Sequence, residues 1–449
     1  MPVGKPPFYF DALETLAEKR LPTRFELDEA APHHPVCIGG VFGNWGRPPS
    51  FIALNTLALE RTGILSGRRP ECGGVEVCVD ESGQPNGWII ERNNRPTVDF
   101  DLLREIPGFD LAQRTEGLRR SIKLYHSVGT TAVYEGHGSA AETIAAYRSL
   151  AERGELTMRS FLCVSPTWSN MSEARSAMRD WLAYARGAGL GDDWLRVAGI
   201  FVGIEGDPTL ARLCRAALPN TGWSGFVEWH NRLEDFREIA FLAAEFDLRL
   251  HTIVKDRLAD ILAIFREVDD RFGIRNKFWM IEHVGEIDAE QRRTIKALNL
   301  TMTAIPTYMI WKNGQVYRAK IKQMENFLPL RDLVDDGVSV GVGTDNIPYN
   351  PFFSMWVMRM RQERMTGDIL APSQRVSAMT ALHLMTRDGA RVARAEQSLG
   401  SIEVGKWADL AVLSDDPLTC DIDSLKSIRS LLTMTSGRIC YRDEQAWLP

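Results

Sequence analysis

The sequence predicts an α/β protein built around a parallel β/α barrel, with a β-rich segment ahead of the barrel. Three observations support this fold class: short apolar runs alternate with helical stretches, polar side chains stand near the ends of several apolar runs, and no Gly-x-Gly-x-x-Gly follows any of them. A doubly wound open sheet would show the same alternation, but without the dinucleotide-binding motif it has no support.

The N-terminal segment, residues 1–108, is expected to be an irregular β-rich insertion. From about residue 30 to residue 105 it is rich in Gly, Pro and Asn. Short apolar runs such as PVCIGGVFG, VEVCVD and GWII are separated there by turn-forming residues, a pattern typical of short strands.

Residues 109–395 carry the predicted barrel. Helical stretches such as LAQRTEGLRRSIKLYHSVG and SAAETIAAYRSLAERG separate the apolar runs, as βαβ units of a parallel sheet require. The predicted strands are TTAVYE, TMRSFLCVS, LRVAGIFVGI, LRLHTIV, KFWMIEHV, LTMTAIP and VSVGVGTD.

Three residues near the ends of these strands are candidates for a metal site: His251, His283 and Asp345. The two histidines are 32 residues apart, about one βα unit, and Asp345 follows 62 residues later, about two units. At whole-unit spacing the three side chains would converge over one mouth of the barrel. Two imidazoles and a carboxylate suit Zn²⁺ or a similar divalent ion with a position left open for water.

Glu135 and His137, in YEGHGS, are further candidates. We expect them to follow a strand in a Gly-rich turn, as additional metal ligands, as substrate contacts or simply as parts of a hydrogen-bonded turn. Four further residues are candidates for substrate binding: three aromatic residues that we expect to line a pocket, and one histidine that follows a tryptophan in the sequence. They are Trp45, His230, Tyr308 and Trp311.

Composition narrows the function classes. The net charge is −6 and no basic stripe appears, which argues against nucleic-acid binding. No run approaches the roughly 18 apolar residues of a membrane span. We find no secretory signal, and the seven cysteines are scattered without a Cys-x-x-Cys pair, so we expect free thiols and a cytoplasmic location.

The stretch Gly400-Ser-Ile-Glu-Val-Gly-Lys-Trp-Ala-Asp409-Leu-Ala-Val-Leu resembles the C-terminal motif of metal-dependent amidohydrolases. LDEAAPHHPV, ALNTLALERTGI, IEHVGEID and GVGTDNIP also resemble segments of that superfamily, in its amidohydrolase-3 branch, which includes N-substituted formamide deformylases. The resemblance implies a (β/α)8-type TIM barrel, with residues 396–449 forming part of a small β-sandwich.

Two motifs that are typical of the family are absent from this sequence. Such enzymes open with sandwich strands and a first barrel strand that ends in His-x-His, and no His-x-His occurs among the eight histidines here. Phe201 stands near the position of the family's fourth-strand lysine. The expected barrel is therefore incomplete at its N-terminus. Three explanations stay open: a split enzyme whose small partner subunit supplies the His-x-His strand, a site reorganised around one metal, or a non-catalytic structural or ligand-binding homologue.

The resemblance implies hydrolysis of an amide, cyclic amide or related C–N bond in a small-molecule substrate. His251 and His283 would fix the metal, and Asp345 would accept the proton of water and pass it to the leaving nitrogen. Zn is the expected metal, with Mn, Fe and Co as alternatives. We expect the chain to act as the large subunit of a split amidohydrolase and to form a higher oligomer.

Overall fold

We describe a computed structural model of the chain, which covers residues 16–39, 49–92, 98, 101–103, 109–166, 168, 170–180, 182–204, 231–345 and 348–445. The chain divides into two compact units. One consists of Met1–Phe109 with Asp207–Gly222, and the other of Asp110–Gly206 with Trp223–Pro449.

The first unit is built on a four-stranded antiparallel sheet in the order β1-β2-β4-β3. Asn55 begins its second helix, because the side chain accepts a hydrogen bond from the backbone of Ala58. Alternate residues of β4 are buried, as expected for a sheet with one face on a core. The elements are α1 (Arg24–Ala30), β1 (Cys37–Gly39), β2 (Ser50–Leu54), α2 (Thr56–Arg61), β3 (Val75–Val79) and β4 (Pro85–Glu91).

The second unit is built on seven parallel strands in the order β12-β11-β10-β9-β8-β6-β5, with β7 added antiparallel to β8. All six residues of β6 are buried, as expected for a parallel sheet covered on both faces. The strands are β5 (Ala132–Ser139), β6 (Arg159–Val164), β7 (Leu190–Gly191), β8 (Leu195–Phe201), β9 (Leu250–Lys255), β10 (Met280–Val284), β11 (Thr301–Ala304) and β12 (Ser339–Val342).

Helices connect these strands and begin at polar caps. Asp110 and Gln113 form a reciprocal capping box at the start of α3, and Asp288 and Gln291 do the same for α8. The α-helices are α3 (Leu111–His126), α4 (Ala141–Glu152), α5 (Met171–Asp180), α6 (Leu233–Glu245), α7 (Leu258–Phe272), α8 (Ala289–Ala297), α9 (Gly314–Arg318), α10 (Leu330–Asp335), α11 (Pro351–Met360), α12 (Ala378–Met385) and α13 (Arg387–Val392), with a π-helix at Thr307–Lys312.

The predicted α/β barrel class is confirmed. Each of the seven apolar runs singled out in the sequence contains one parallel strand, and neighbours in sequence order are neighbours in the sheet. Among the described residues the pairing path ends at β5 on one side and β12 on the other. The sheet is therefore that of a partly open barrel. No helix in the described ranges has both the length and the apolar character that a membrane span requires.

The C-terminal strands form a separate antiparallel sheet in the order β13-β14-β15. Its strands are β13 (Leu410–Leu413), β14 (Ser430–Thr435) and β15 (Arg438–Arg442). Asp409, just before β13, forms a buried ion pair with Arg159, whose Nε lies 2.8 Å from Oδ2. This pair fixes the start of the C-terminal sheet against β6.

Candidate functional site

A buried carboxylate, that of Glu282 on β10, lies between two of the predicted histidines. Its Oε2 lies 3.1 Å from Nε2 of His137, and its Oε1 lies 3.9 Å from Nδ1 of His251. Glu282 is 2 % exposed and His251 is fully buried. The first contact is an ion pair at hydrogen-bond distance, whereas the second is too long for a hydrogen bond.

Glu135 and His137 lie within a strand, so their expected position in a turn after the strand was wrong. β5 continues to Ser139, with an irregular register against β6 between Glu135 and Ser139. Glu135 is exposed, and its Oε1 accepts a hydrogen bond from the backbone N–H of His137 at 3.1 Å. The local hydrogen bond expected of a turn is thus present, but in a bulged strand.

Glycines allow this bulged strand to approach Glu282. A Cβ at Gly136 would clash with Oε1 of Glu282. Gly138 has φ +86°, and a Cβ there would lie 2.8 Å from Ser165 Cβ and 2.9 Å from Phe201 Cβ. The Gly-rich sequence is therefore needed because the backbone of β5 passes directly over neighbouring side chains.

His251 lies nearer the start of its strand than the sequence predicted. It is the second residue of β9, which runs on to Lys255, and not the last. Its Nε2 lies 2.9 Å from the hydroxyl of Tyr134, and the two rings stack with centroids 5.5 Å apart. Arg249 donates to the same hydroxyl from Nη1 at 3.2 Å, and to the carbonyl oxygens of Phe278 and Val392 at 2.6 and 2.7 Å.

His283 and Asp345 both have left-handed backbone conformations. Their φ angles are +53° and +58°, which is unusual for residues other than glycine and is found disproportionately at functional sites. In a regular strand the side chains of Glu282 and His283 would point to opposite faces. The left-handed turn at His283 breaks that alternation, and its ring lies 4.6 Å from the ring of His137, which Glu282 also contacts.

The charges in the site act on one another. Burial disfavours a charged His137, but the hydrogen bond and charge of Glu282, with the charges of Glu135 and Asp345, outweigh it and raise the pKa of His137 to about 9. Burial also disfavours a charged Glu282, but the hydrogen bond and charge of His137 hold the pKa of its carboxyl well below the usual range. Burial lowers the pKa of His251 to about 4, so this imidazole is neutral.

The four candidate substrate-binding residues differ in position. Tyr308, in the π-helix, presents its ring edge-on to His283 with centroids 5.3 Å apart. Trp311 packs edge-on against Phe353 of the hydrophobic core, with centroids 5.0 Å apart. Trp45 and His230 lie outside the described residues. The contacts thus bring Tyr308 to the site.

Sequence reasoning missed Glu282, Tyr134 and Arg249. Each is a polar residue within or beside an apolar strand, in IEHV, TTAVYE and LRLH respectively. A charged residue in a buried strand is itself a signal, because it must find a partner there. Only the packing of the strands, however, shows that Glu282 lies beside His137 and His251, that Tyr134 contacts His251 and that Arg249 contacts Tyr134.

The side chains fit a divalent cation by their chemistry. Among the described residues, no three His, Cys, Asp or Glu side chains are already arranged as metal ligands. Yet Oε1 of Glu282 is buried without a hydrogen-bond partner in this part of the chain, and the missing Cβ of Gly136 leaves room for this oxygen. The site also gathers imidazoles and carboxylates, the donor types that bind Zn²⁺ and related ions.

The chain is similar to known proteins over most of its length. The chain is 26 % identical over 441 residues to an N-substituted formamide deformylase from Arthrobacter pascens, covering 95 % of this chain and 77 % of the relative. It is 23 % identical to the protein LONG AFTER FAR-RED 3 from Arabidopsis thaliana, covering 94 % of this chain and 71 % of the relative.

Solved structures show the same fold. An uncharacterized metal-dependent hydrolase from Pyrococcus furiosus superposes with a TM-score of 0.63 at 19 % identity, covering 92 % of this chain and 78 % of the other. The sequence model of the amidohydrolase family matches residues 11–441. This match covers nearly the whole chain, and with it the sequence resemblance to that family is confirmed: the protein belongs to the amidohydrolase family.

Proposed function

We propose that this protein is a metal-dependent hydrolase of an amide, cyclic amide or related C–N bond in a small molecule. The observation that supports this most is that the buried Glu282 lies beside His137 and His251, with His283 packed on His137, at a parallel sheet of the amidohydrolase type. The formamide deformylase named among the relatives acts, by its name, on such a bond. We propose Zn as the metal, with Mn, Fe or Co as alternatives.

His251, His283 and Asp345 would hold the ion, with His137 and Glu135 as further donors beside them. Negative charge from Glu135, Glu282 and Asp345 already acts on His137, so a cation would meet a favourable potential here. When bound, a divalent ion lowers the pKa of water and polarises a carbonyl group.

Asp345 is the proposed acid and base. Its carboxylate would take a proton from water as the oxygen attacks the carbonyl carbon, and would return that proton to the nitrogen as the C–N bond breaks. Tyr308, beside His283, would line the substrate pocket. We also keep Trp45, His230 and Trp311 as proposed substrate contacts.

We propose further that a small partner subunit supplies a strand between β5 and β12 and that the complex forms a higher oligomer. The support is the pairing path, whose two ends among the described residues would otherwise be exposed sheet edges, which folded proteins usually cover. Cys78, Cys163, Cys420 and Cys440 are free thiols, consistent with the proposed cytoplasmic location. Native mass spectrometry of the protein from its source tests the partner.

The test of function combines metal analysis with one substitution. We expect the purified chain, alone or with its partner, to carry a divalent metal by mass spectrometry and to hydrolyse N-substituted formamides or cyclic amides. Asp345→Asn should lower kcat by about 100-fold or more, because the proton acceptor is lost. Asparagine tolerates the left-handed backbone at this position, so the fold should persist.

Asp415→Asn is the matched control, because Asp415 is an exposed carboxylate. It should leave kcat unchanged. Absence of both metal and hydrolysis in the complex would instead support the non-catalytic homologue.

A further inference from the structure

We propose that Glu282 is itself a metal ligand, and that His251 binds the same ion through Nδ1 while Tyr134 holds its Nε2. This inference rests on the proposed function, because it names ligands for the divalent ion.

The two oxygens of Glu282 have different surroundings. Oε2 is held by Nε2 of His137 at 3.1 Å, which fixes the rotation of the carboxylate. Oε1 is buried and has no hydrogen-bond partner in the described part of the chain. A buried carboxylate oxygen without a donor is costly, so its presence calls for a cation.

The separation of Oε1 from His251 suits a shared ion. Oε1 and Nδ1 are 3.9 Å apart, too far for a hydrogen bond. With bonds of about 2.0–2.2 Å to each donor, a Zn²⁺ ion can reach both atoms, and tetrahedral geometry would draw them about 0.5 Å closer together. Gly136 allows Oε1 to take up this position, since any Cβ there would fall on Oε1.

Tyr134 and Arg249 determine which nitrogen of His251 faces this gap. The hydroxyl of Tyr134 lies nearer to Nε2, at 2.9 Å, than to Nδ1, at 3.5 Å, and the stacked rings, with an interplanar angle of 14°, hold the imidazole in one orientation. Arg249, anchored by two backbone carbonyl groups, donates to the hydroxyl from Nη1. The hydroxyl oxygen has two lone pairs, so it can accept from Arg249 and from Nε2–H together, which leaves the lone pair of Nδ1 for the ion.

Gly199 on β8 adds to this restraint. A Cβ at this position would lie 2.8 Å from Nε2 of His251 and 2.7 Å from the carbonyl oxygen of Arg249. The glycine therefore lets β8 pass close to the imidazole. Glu282 acts as a ligand in this scheme, whereas Tyr134 and Arg249 are positioning residues that act through His251.

The experiment is a Zn²⁺ titration of the full-length chain, apo-protein and variants, by calorimetry with a competing chelator. Glu282→Gln keeps the shape of the side chain and should weaken Zn²⁺ binding more than Tyr134→Phe does. Tyr134→Phe should weaken it by about 10- to 100-fold, the usual effect of losing a partner of a liganding histidine. Glu286→Gln is the control, because Glu286 accepts from the backbone of Lys322 and Gln323 and should have no effect.

Nitrogen-15 NMR of histidine-labelled protein provides a second readout that does not depend on activity. Zn²⁺ should shift the Nδ1 resonance of His251 while a proton stays on Nε2, and Tyr134→Phe should change the Nε2 resonance. If Glu282→Gln fails to fold, the Tyr134→Phe titration and these resonances still test the inference.

The outcomes separate the inference from the proposed function. Unchanged Zn²⁺ affinity in Glu282→Gln, or coordination through Nε2 of His251, would overturn the inference and leave a metal-dependent hydrolase intact. Absence of Zn²⁺ binding by the parent chain would overturn both.

Discussion

At the scale of the residue, the site contains a charged carboxylate that is buried, which is unfavourable without a partner. Glu282 is 2 % exposed, and a carboxylate so deep in a protein must be paired or must become neutral. His137 supplies the pairing at 3.1 Å, and His251 stays neutral beside it. In the absence of metal, the ion pair of Glu282 and His137 is therefore what permits the buried carboxylate to remain charged.

This pairing predicts a pH dependence of stability for the metal-free protein. The pKa of His137 is raised to about 9 from an ordinary value near 6.5, so its contribution is fully present below pH 6.5 and is lost as the pH rises toward 9. His137→Gln should lower the free energy of unfolding by up to about 3 kcal/mol near pH 6.5, and by progressively less at higher pH.

Urea unfolding of both proteins from pH 6 to pH 9.5 measures this difference. His33→Gln, at an exposed position, should show no such trend. A difference between parent and His137→Gln that grows with pH would contradict the assignment of the proton to His137.

At the scale of the element, β5 shows how a strand is adapted to a site. Its register against β6 becomes irregular after Glu135, and Gly136 and Gly138 lie within the irregular stretch. Each of these glycines lies where a Cβ would meet a neighbouring side chain. The bulge brings His137 to Glu282, and the glycines make that approach sterically possible.

Gly136→Ala should therefore destabilise the protein and displace Glu282. We expect a loss of about 1–3 kcal/mol in the free energy of unfolding, as for other overpacked sites, together with weaker Zn²⁺ binding. Denaturant unfolding and Zn²⁺ titration measure the two effects.

Gly117→Ala is a matched control. Gly117 lies in the interior of α3, where a Cβ would meet no atom within 4 Å, so alanine should stabilise the helix by about 1 kcal/mol. Equal stability of Gly136→Ala and the parent protein would show that β5 can move away from Glu282 at no cost.

At the scale of the whole second unit, one buried ion pair joins the C-terminal sheet to the barrel. Arg159 of β6 contacts both carboxylate oxygens of Asp409, at 2.8 and 3.2 Å, and also donates to Ser436 Oγ at 2.6 Å. Its guanidinium lies over the rings of both Trp194 and Trp407, at 4.5 and 4.8 Å from their centroids. The Trp-Ala-Asp sequence of the tail therefore serves to attach this sheet.

Asp409→Ala should destabilise the second unit strongly. Removing one partner leaves the Arg159 guanidinium buried without its carboxylate, which costs about 3–5 kcal/mol in comparable cases. Thermal and urea unfolding measure the loss. Glu152→Ala, which removes an exposed pair with Arg148 on α4, should cost less than about 1 kcal/mol. A similar cost for both variants would show that Asp409 is not essential to this attachment.

Much of the parallel sheet could be predicted from the sequence. Apolar runs separated by helical stretches leave few alternatives to βαβ units, and each predicted run contains a strand. The positions of His251 and Glu135 within their strands could not be predicted. A strand ends where pairing ends, and pairing depends on the neighbouring strand, so β9 continues past His251 and β5 past Glu135.

The α/β class and the succession of strands could be predicted from the sequence, which also predicts that His251, His283 and Asp345 converge at one mouth of the barrel. Hydrophobic periodicity and βαβ spacing carry that information locally along the chain. The position of Glu282 beside His137 and His251 follows from the packing of the strands and could not be predicted. Alternation along a strand would separate Glu282 from His283, and the left-handed backbone at His283 removes that separation.

The contacts that orient His251 also follow from the packing of distant strands. Tyr134 and Arg249 are 115 positions apart and meet because β5 and β9 face each other across the inside of the curled sheet. Such a contact depends on strand register and on the missing Cβ atoms of glycines. Those are properties of packed neighbours, which no local pattern in the sequence encodes.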